Sequence, residues 1–182
     1  IEVILDAMYN EQQSDMRISG IFPPNLISYR PLNGGKYRMV WYRPEEQRLL
    51  LHAPQLKIPN GRAMVPPMLY VVDAGSLSVY ALSSNDRPGL QTKLYRAPFF
   101  NVDDDGDVCL GDAKVEKPKQ RSYELFMKYW EDLFWLSKFT HVNGSEKVHG
   151  QELDQFWKEM ICYGDAASWT EMGKTGPMIS RS

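Results

Sequence analysis

The spacing of the hydrophobic residues changes halfway along this chain. In the first half, short runs rich in β-branched and aromatic residues alternate with clusters of Pro, Gly, Asn and Asp, a pattern typical of strands joined by turns. In the second half, apolar residues recur every three or four positions, which is the spacing of one helix face. Strands followed by helices predict an α+β fold, with the helices packed against one side or end of the sheet.

The strand-like runs predict two hairpins. Residues 37–42 and 48–52 flank one turn-like segment, and residues 68–72 and 77–82 flank another. The second turn contains Gly75, which adopts a positive φ without steric penalty and so permits a tight reversal. Successive hairpins predict an antiparallel β-meander, after which the chain enters a long, loop-rich segment.

Two amphipathic helices are predicted in the second half. Ser122 suits the cap of the first helix, because a serine hydroxyl accepts a hydrogen bond from the free N–H groups of a helix start. The predicted apolar faces consist of Phe126, Tyr129, Trp130, Leu133 and Phe134 in the first helix, and of Leu153, Phe156, Trp157, Met160 and Ile161 in the second.

The composition favours one domain whose partners are proteins or small molecules. At 182 residues with 43% hydrophobic residues, the chain is long enough to bury a sizeable core. Its net charge of -2 gives no electrostatic footprint for nucleic acid or an anionic membrane. No apolar run approaches the roughly 20 residues of a membrane-spanning helix. We expect residues 1–168 to form one domain and residues 169–182 a loosely ordered tail.

The number of cysteines indicates the redox state of the cellular compartment. Only Cys109 and Cys162 occur, whereas a secreted disulfide scaffold normally has a denser, even set, so a reducing cytoplasm is favoured. No basic segment precedes an apolar one near Ile1, so a signal peptide is not predicted. His52 and His149 show no ligand spacing with the cysteines, so a zinc site is not predicted either.

The segment 99–112 is the most informative, because Cys109 directly follows an acidic turn there. In one interpretation Cys109 is a small buried hydrophobic residue, as free cysteines often are. A Gly-containing acidic turn is, however, expected to lie in solvent and to hold its cysteine near the surface.

A second interpretation of this segment is a calcium loop. The residues at positions 1, 3, 5, 6, 7 and 12 of the EF-hand pattern are Asn101, Asp103, Asp105, Gly106, Asp107 and Asp112. An EF-hand also needs a helix on each side, whereas Pro98 and Pro118 oppose helices in the flanking segments. The match of the loop and the mismatch of its flanks leave this interpretation open.

A third interpretation comes from a resemblance to the active-site loop of ubiquitin-conjugating enzymes. In that family the Asn of a His-Pro-Asn motif lies eight positions before the catalytic cysteine, and the loop ends in Gly-x-Ile/Val-Cys-Leu. Asn101 lies eight positions before Cys109 here, and residues 106–110 reproduce that ending. Segments 98–102, 109–111 and 134–141 also resemble the prokaryotic conjugating-enzyme-like family typified by protein B of the PRTRC cassettes.

The chain departs from the eukaryotic pattern at two points. Phe99 and Phe100 stand where the family has His and Pro, and the tryptophan expected a few residues after the cysteine is absent. Both differences concern how the loop is supported rather than the cysteine itself.

The resemblance implies a ubiquitin-conjugating-like domain over residues 1–168, in which the meander leads to an active-site loop and C-terminal helices. It implies a transferase that accepts a ubiquitin-like modifier as a thioester on Cys109. Asn101 would order the loop and offer its NH2 group to the oxyanion, although an Asn at this position also simply stabilises a turn. A noncatalytic interaction domain with the same fold is the remaining alternative.

The resemblance also implies partners. These are the ubiquitin-like modifier, a ThiF-like activating enzyme that uses ATP, and a metallopeptidase that removes the modifier. No cofactor is expected for the chain itself.

The acidic surroundings of Cys109 favour a relay over a standalone nucleophile. An ordinary cysteine thiol is only about 3% ionised at pH 7, and nearby carboxylates disfavour the thiolate further. A preactivated thioester is a much easier target than an amide, so a cysteine-protease activity is disfavoured.

Three further residues are candidate supporting groups. Asp107 and Asp112 are suited to attracting a lysine acceptor and assisting its deprotonation, although such a charge run is more often a solvated surface. His141, after the first predicted helix, is suited either to accepting a proton or to interacting with the helix end.

Overall fold

A computed structural model describes residues 18–111, 113–140, 147–148 and 150–162. Its regular elements are β1 (Leu26–Pro31), β2 (Tyr37–Arg43), β3 (Glu46–Leu50), β4 (Gly61–Val65), β5 (Met68–Asp73), β6 (Ser76–Ala81), β7 (Tyr95–Arg96), α1 (Tyr123–Leu136), β8 (Lys147–Val148), β9 (Gln151–Glu152) and α2 (Leu153–Cys162), with 3-10 turns at Asn33–Gly35 and Pro54–Leu56. The chain is thus a mixed α and β protein. The predicted tail, 169–182, lies outside the described residues.

The main sheet is antiparallel and has the strand order β1-β2-β5-β6-β7. The predicted hairpin of β5 and β6 is confirmed, with Met68 opposite Ala81 and Asp73 opposite Ser76. Its two-residue turn has φ of 52° at Ala74 and 102° at Gly75. Positive φ at both central positions matches the right-handed twist of the two strands. Gly75, which adopts this conformation readily, is the residue that made the turn predictable from the sequence.

The other predicted hairpin is wrong. β2 pairs with β1 and β5, whereas β3 pairs with β4 in a separate two-stranded sheet. The Trp41 ring on β2 stacks on the opposite Tyr70 of β5, with centroids 5.1 Å apart. Alternation of apolar residues identifies a strand, but contacts such as this one, between residues distant in sequence, choose its partner.

Helix α1 covers one face of the main sheet. Its cap is Ser122 as predicted, because the Ser122 hydroxyl accepts a 3.3 Å hydrogen bond from the Leu125 N–H. Tyr129 of the predicted apolar face is partly buried, and the other four residues of that face are buried. The Phe134 ring meets the Tyr70 ring edge to face at 6.4 Å. Burial of each such side chain contributes about 1.5–3 kcal/mol to stability.

Helix α1 also buries one carboxylate, which its apolar face did not predict. Glu131 is 4% exposed and accepts hydrogen bonds from Trp41 Nε1 at 2.7 Å and Arg43 Nε at 2.8 Å. The Arg48 guanidinium lies 3.5 Å from its second oxygen. Partners on β2 and β3 therefore satisfy a charge that would otherwise be costly to bury.

Helix α2 packs against β4. Its predicted face is confirmed, since Leu153, Phe156, Trp157 and Met160 are buried and Ile161 is partly buried. A Cβ at Gly61 would lie 2.4 Å from the Ile161 side chain, so the close approach of β4 to α2 requires glycine. None of the helices in the described part of the chain has the length and apolar character needed to cross a membrane.

Candidate active site

The segment that carries Cys109 leaves β7 and first enters the core. Phe99 and Phe100 are both buried. The Phe99 ring stacks on Trp157 of α2 at 5.3 Å and on Phe139 at 5.7 Å, and Trp157 Nε1 donates a 2.6 Å hydrogen bond to the Pro98 carbonyl. The aromatic residues that stand in place of His-Pro thus anchor the start of the loop to α2.

His52 lies beside this aromatic cluster. It is buried, and its ring centre is 6.0 Å from that of Phe100 and 5.5 Å from that of Phe139. Its Nδ1 lies 3.2 Å from the Pro59 carbonyl oxygen. Burial lowers the pKa of His52, and the contact with Pro59 opposes that shift. The neutral imidazole is therefore the form that suits this position.

The acidic turn is organised by the side chain of Asp103. Its Oδ1 accepts hydrogen bonds from the N–H groups of Asp105 at 2.9 Å and Asp107 at 2.8 Å. The Gly106 N–H donates to the Asp103 carbonyl at 3.1 Å, and Gly106 has φ of 87°. A Cβ at Gly106 would lie 2.4 Å from the Tyr80 ring, so both its conformation and its contact favour glycine.

The turn is fastened to the edge of β6 that β5 leaves free. The hydrogen bonds run from Val79 N–H to Gly106 O (2.8 Å), from Val108 N–H to Leu77 O (3.0 Å), from Tyr80 Oη to Asp105 O (3.0 Å) and from Ser78 Oγ to Asp107 Oδ1 (2.6 Å). The residues just before Cys109 are therefore held as an extra edge of the main sheet.

The acidic turn is also held by a buried cation, Arg96. Arg96 is 6% exposed; its guanidinium donates a 2.9 Å hydrogen bond to the Val102 carbonyl, and its Nε lies 3.2 Å from Asp104 Oδ1. Burial lowers the pKa of Arg96, while the carboxylates of Asp104 and Asp103 oppose this shift. Arg96 was not predicted from the sequence, because nothing in a single arginine near a proline distinguishes it from a surface residue.

Cys109 lies at the surface, so its interpretation as a buried hydrophobic residue is wrong. The Cys109 N–H donates to the Asn101 carbonyl at 2.9 Å, and Asn101 Nδ2 lies 3.4 Å from the Cys109 carbonyl oxygen. The two residues named by the resemblance are thus adjacent in space, and the cysteine backbone is held while its side chain reaches solvent.

Asn101 is held in turn by Ser137, which was not predicted from the sequence. Its Nδ2 donates a 3.1 Å hydrogen bond to Ser137 Oγ, and that hydroxyl donates to the Phe134 carbonyl at 2.7 Å. Among the described residues, no donor reaches the buried Oδ1 of Asn101. The amide is therefore fixed through its NH2 group, between the loop and the end of α1.

Cys109 opens onto a groove of about 550 Å³ between the loop and the end of α1. It is lined by Asn101, Cys109, Leu110, Gly111, Ala113, Lys114, Leu136, Ser137, Lys138 and Thr140. Leu136 is 57% exposed, so the groove offers an apolar surface next to the thiol.

Three carboxylates of the turn are directed to partners within the protein. Asp103 bonds the turn's N–H groups, Asp104 pairs with Arg96 and Asp107 accepts from Ser78. Over the described residues, no three His, Cys, Asp or Glu side chains come together as metal ligands. The segment before the loop is β7 and residues 113–121 contain no helix, so the flanks of an EF-hand are missing.

Of the three predicted supporting residues, the structure describes Asp107 alone. The carboxylate of Asp107 faces Ser78 on β6 and is not among the groups that line the groove. Asp112 and His141 lie outside the described residues. Of the predicted site, the structure thus brings Cys109 and Asn101 together and adds Ser137 and Arg96.

The antiparallel sheet and the two helices of the described residues are compatible with the fold of E2 proteins, the ubiquitin-conjugating class. Residues 3–169 match the model of prokaryotic E2 family D, and the chain belongs to that family. The resemblance to prokaryotic conjugating-enzyme-like proteins is thereby confirmed. Searches of curated proteins and of solved structures gave no match. Membership implies a conjugating-enzyme-like role, with an activating enzyme and a modifier protein as general partners.

Proposed function

We propose that this protein accepts a ubiquitin-like modifier as a thioester on Cys109 from a ThiF-like activating enzyme and passes it to an acceptor. The observation that carries the proposal is the exposed thiol of Cys109, whose backbone is bonded in both directions to the buried Asn101. A reactive group on a rigidly held backbone is what a transfer reaction between two partners requires.

The proposed reaction has two acyl transfers. In the first, the Cys109 sulfur attacks the thioester carbonyl carbon of the charged activating enzyme. The new carbon–sulfur bond forms, the old one breaks, and the departing thiolate gains the proton that Cys109 gives up. In the second, the acceptor nucleophile attacks the same carbon, the bond to Cys109 breaks, and the acceptor's proton balances the released thiolate. Neither step needs a cofactor on this chain.

Asn101 is proposed to stabilise the oxyanion of the second transfer. Its NH2 group makes one firm hydrogen bond, to Ser137, and a longer one, 3.4 Å, to the Cys109 carbonyl. The longer bond is the weaker of the two. We propose that the NH2 group gives up this bond and donates instead to the oxyanion that forms on the acyl group carried by Cys109. One such donor contributes about 3–4 kcal/mol to transition-state stabilisation.

Asp107, Asp112 and His141 are retained as candidate supporting groups for acceptor deprotonation. Asp107→Asn, Asp112→Asn and His141→Gln should each be charged normally, and a slower discharge to lysine would assign the role. The reducing cytoplasm expected from the cysteine content suits a thiol that has to remain free.

The proposal is tested by trapping the adduct. The purified protein is mixed with ATP and with candidate activating enzyme and modifier encoded by neighbouring genes, then separated without reductant. The wild type should form an adduct that thiol reagents cleave, and Cys109→Ser should form an oxyester that resists them. Cys162→Ser is the matched control, because Cys162 is the other exposed cysteine and lies at the end of α2.

Two outcomes would contradict the proposal. A thiol-labile adduct that persists in Cys109→Ser would place the chemistry elsewhere. Tight binding of the charged activating enzyme without any adduct would identify an interaction domain that lacks catalysis.

A further inference from the structure

We infer that the groove beside Cys109 receives a C-terminal segment of the modifier that carries acidic side chains, recognised by Lys114 and Lys138. This inference rests on the proposed function, since it concerns the acyl group that Cys109 would carry.

The charges around Cys109 are segregated. On the side of β6, the carboxylates of Asp104 and Asp107 are bound by Arg96 and Ser78. On the side of α1, the charged residues that line the groove are Lys114 and Lys138, and both are exposed. Among the described lining residues no carboxylate balances these two cations. An anionic ligand is thus attracted to the groove and repelled from the turn.

The covalent attachment determines which partner occupies the groove. A modifier joined to the Cys109 sulfur has to continue away from that atom. On the side of β6, the surface next to the cysteine is occupied by the acidic turn, which is bonded to Ser78 and Tyr80. The groove between the loop and α1, which contains the cysteine itself, offers such a path along the described surface.

The shape of the groove suits a short extended segment. Its volume of about 550 Å³ lies within the range of sites that enclose a ligand of that size. Leu110 and Leu136 supply apolar surface, while Gly111 and Ala113 leave space for a peptide backbone. A Cβ at Gly111 would meet no atom within 4 Å, so the groove is open at that point.

The selectivity should be moderate and sensitive to salt. An exposed ion pair contributes about 0.2–1 kcal/mol, and two such pairs together correspond to a roughly two- to thirtyfold preference. Exposed charges are screened over a Debye length of about 10 Å at 0.1 M salt and about 3 Å at 1 M, so the preference should shrink as salt is added.

Synthetic peptide thioesters test the inference without the natural modifier. Three acetylated peptides ending in two glycines carry either two Glu, two Gln or two Lys before the glycines, each as a mercaptoethanesulfonate thioester. The Cys109 sulfur displaces mercaptoethanesulfonate, and intact mass measures the rate. The Glu peptide should react roughly three- to tenfold faster than the Gln peptide in 50 mM salt, and the Lys peptide should react slowest.

The double variant Lys114→Glu, Lys138→Glu should reverse this order. A matched control is Lys36→Glu, Lys119→Glu, which changes the net charge equally at two exposed lysines. Lys36 directly precedes β2 and Lys119 lies between the groove residue Lys114 and α1, and neither lines the groove. The control should keep the wild-type order.

The outcomes separate the two claims. If Cys109 reacts with all three peptides at equal rates, the inference is wrong and the proposed function stands. If the double variant alters only the discharge of a loaded peptide to lysine, the groove binds the acceptor and the inference is wrong. If none of the thioesters acylates Cys109 while iodoacetamide still alkylates it, both claims fail.

Discussion

The Asn101 side-chain amide donates a 3.1 Å hydrogen bond to the hydroxyl of Ser137, which lies 36 residues later in the chain. The two buried groups join the loop before Cys109 to the residue that ends α1. The orientation of the Asn101 NH2 group therefore depends on a contact between two segments that are remote in sequence.

Ser137→Ala should weaken this connection. The variant leaves one Asn101 N–H without its partner, which costs about 1–3 kcal/mol in a buried position. Under the proposed function, single-turnover discharge of the thioester should also slow, because Asn101 is no longer held. Ser137→Thr keeps the hydroxyl and should restore the discharge rate, whereas Ser83→Ala at an exposed serine should change neither quantity. A normal discharge rate in Ser137→Ala would contradict the positioning role.

Gly106→Ala should destabilise the protein more than Gly111→Ala. Both glycines have positive φ, which costs an L-residue about 1 kcal/mol. A Cβ at Gly106 in addition overlaps the Tyr80 ring, whereas a Cβ at Gly111 meets nothing within 4 Å. The expected difference in the free energy of unfolding is about 1–3 kcal/mol, measured by urea denaturation. Equal losses for the two variants would show that the turn is free to move away from β6.

Glu131→Ala should be strongly destabilising. It leaves Trp41 Nε1 and the guanidinium groups of Arg43 and Arg48 without their buried acceptor. Loss of one partner from a buried charge network costs about 3–5 kcal/mol. The neighbouring Asp132→Ala removes a partly exposed pair with Lys128 and should cost about 1 kcal/mol or less. Chemical denaturation of both variants would test this contrast.

His52 predicts a dependence of stability on pH. Because its pKa is lowered in the folded state, the unfolded chain takes up a proton near pH 6.5 while the folded chain resists it. The contribution is therefore present above about pH 6.5 and is lost as the pH falls, by at most about 1.4 kcal/mol per pH unit. Urea denaturation from pH 8 to pH 5 should show a shallower decline in His52→Leu. Parallel profiles for the two proteins would contradict the assignment.

Local signals in the sequence predicted the helices and one hairpin. Ser122 and the apolar face after it determine where α1 begins and which side is buried, since both act within a few residues. The turn at Ala74 and Gly75 similarly specifies β5 and β6. The pairing of β2 with β5 was not predicted, because the stacking of Trp41 on Tyr70 joins strands that are separated by the excursion of β3 and β4.

In the candidate site, too, features within one segment were predicted, whereas contacts between distant segments were not. The pair of Asn101 and Cys109 could be predicted from their spacing, because both residues lie on one loop. Ser137 and Arg96 reach that loop only after α1 and β7 have packed, and no local pattern marks them. Burial of Glu131 contradicts its expected preference for solvent, and only the neighbouring Trp41 and Arg43 explain it.

The anchoring of Pro98 and Phe99 on Trp157 makes α2 and the cysteine loop a single cooperative unit. Local opening of α2 would release the start of the loop, so hydrogen exchange of the backbone amides in both segments should report one shared free energy of opening. A relative that lost α2 by truncation would need a different anchor for its loop. In this protein the last described helix is therefore part of the structural support of the cysteine loop rather than an appendage to it.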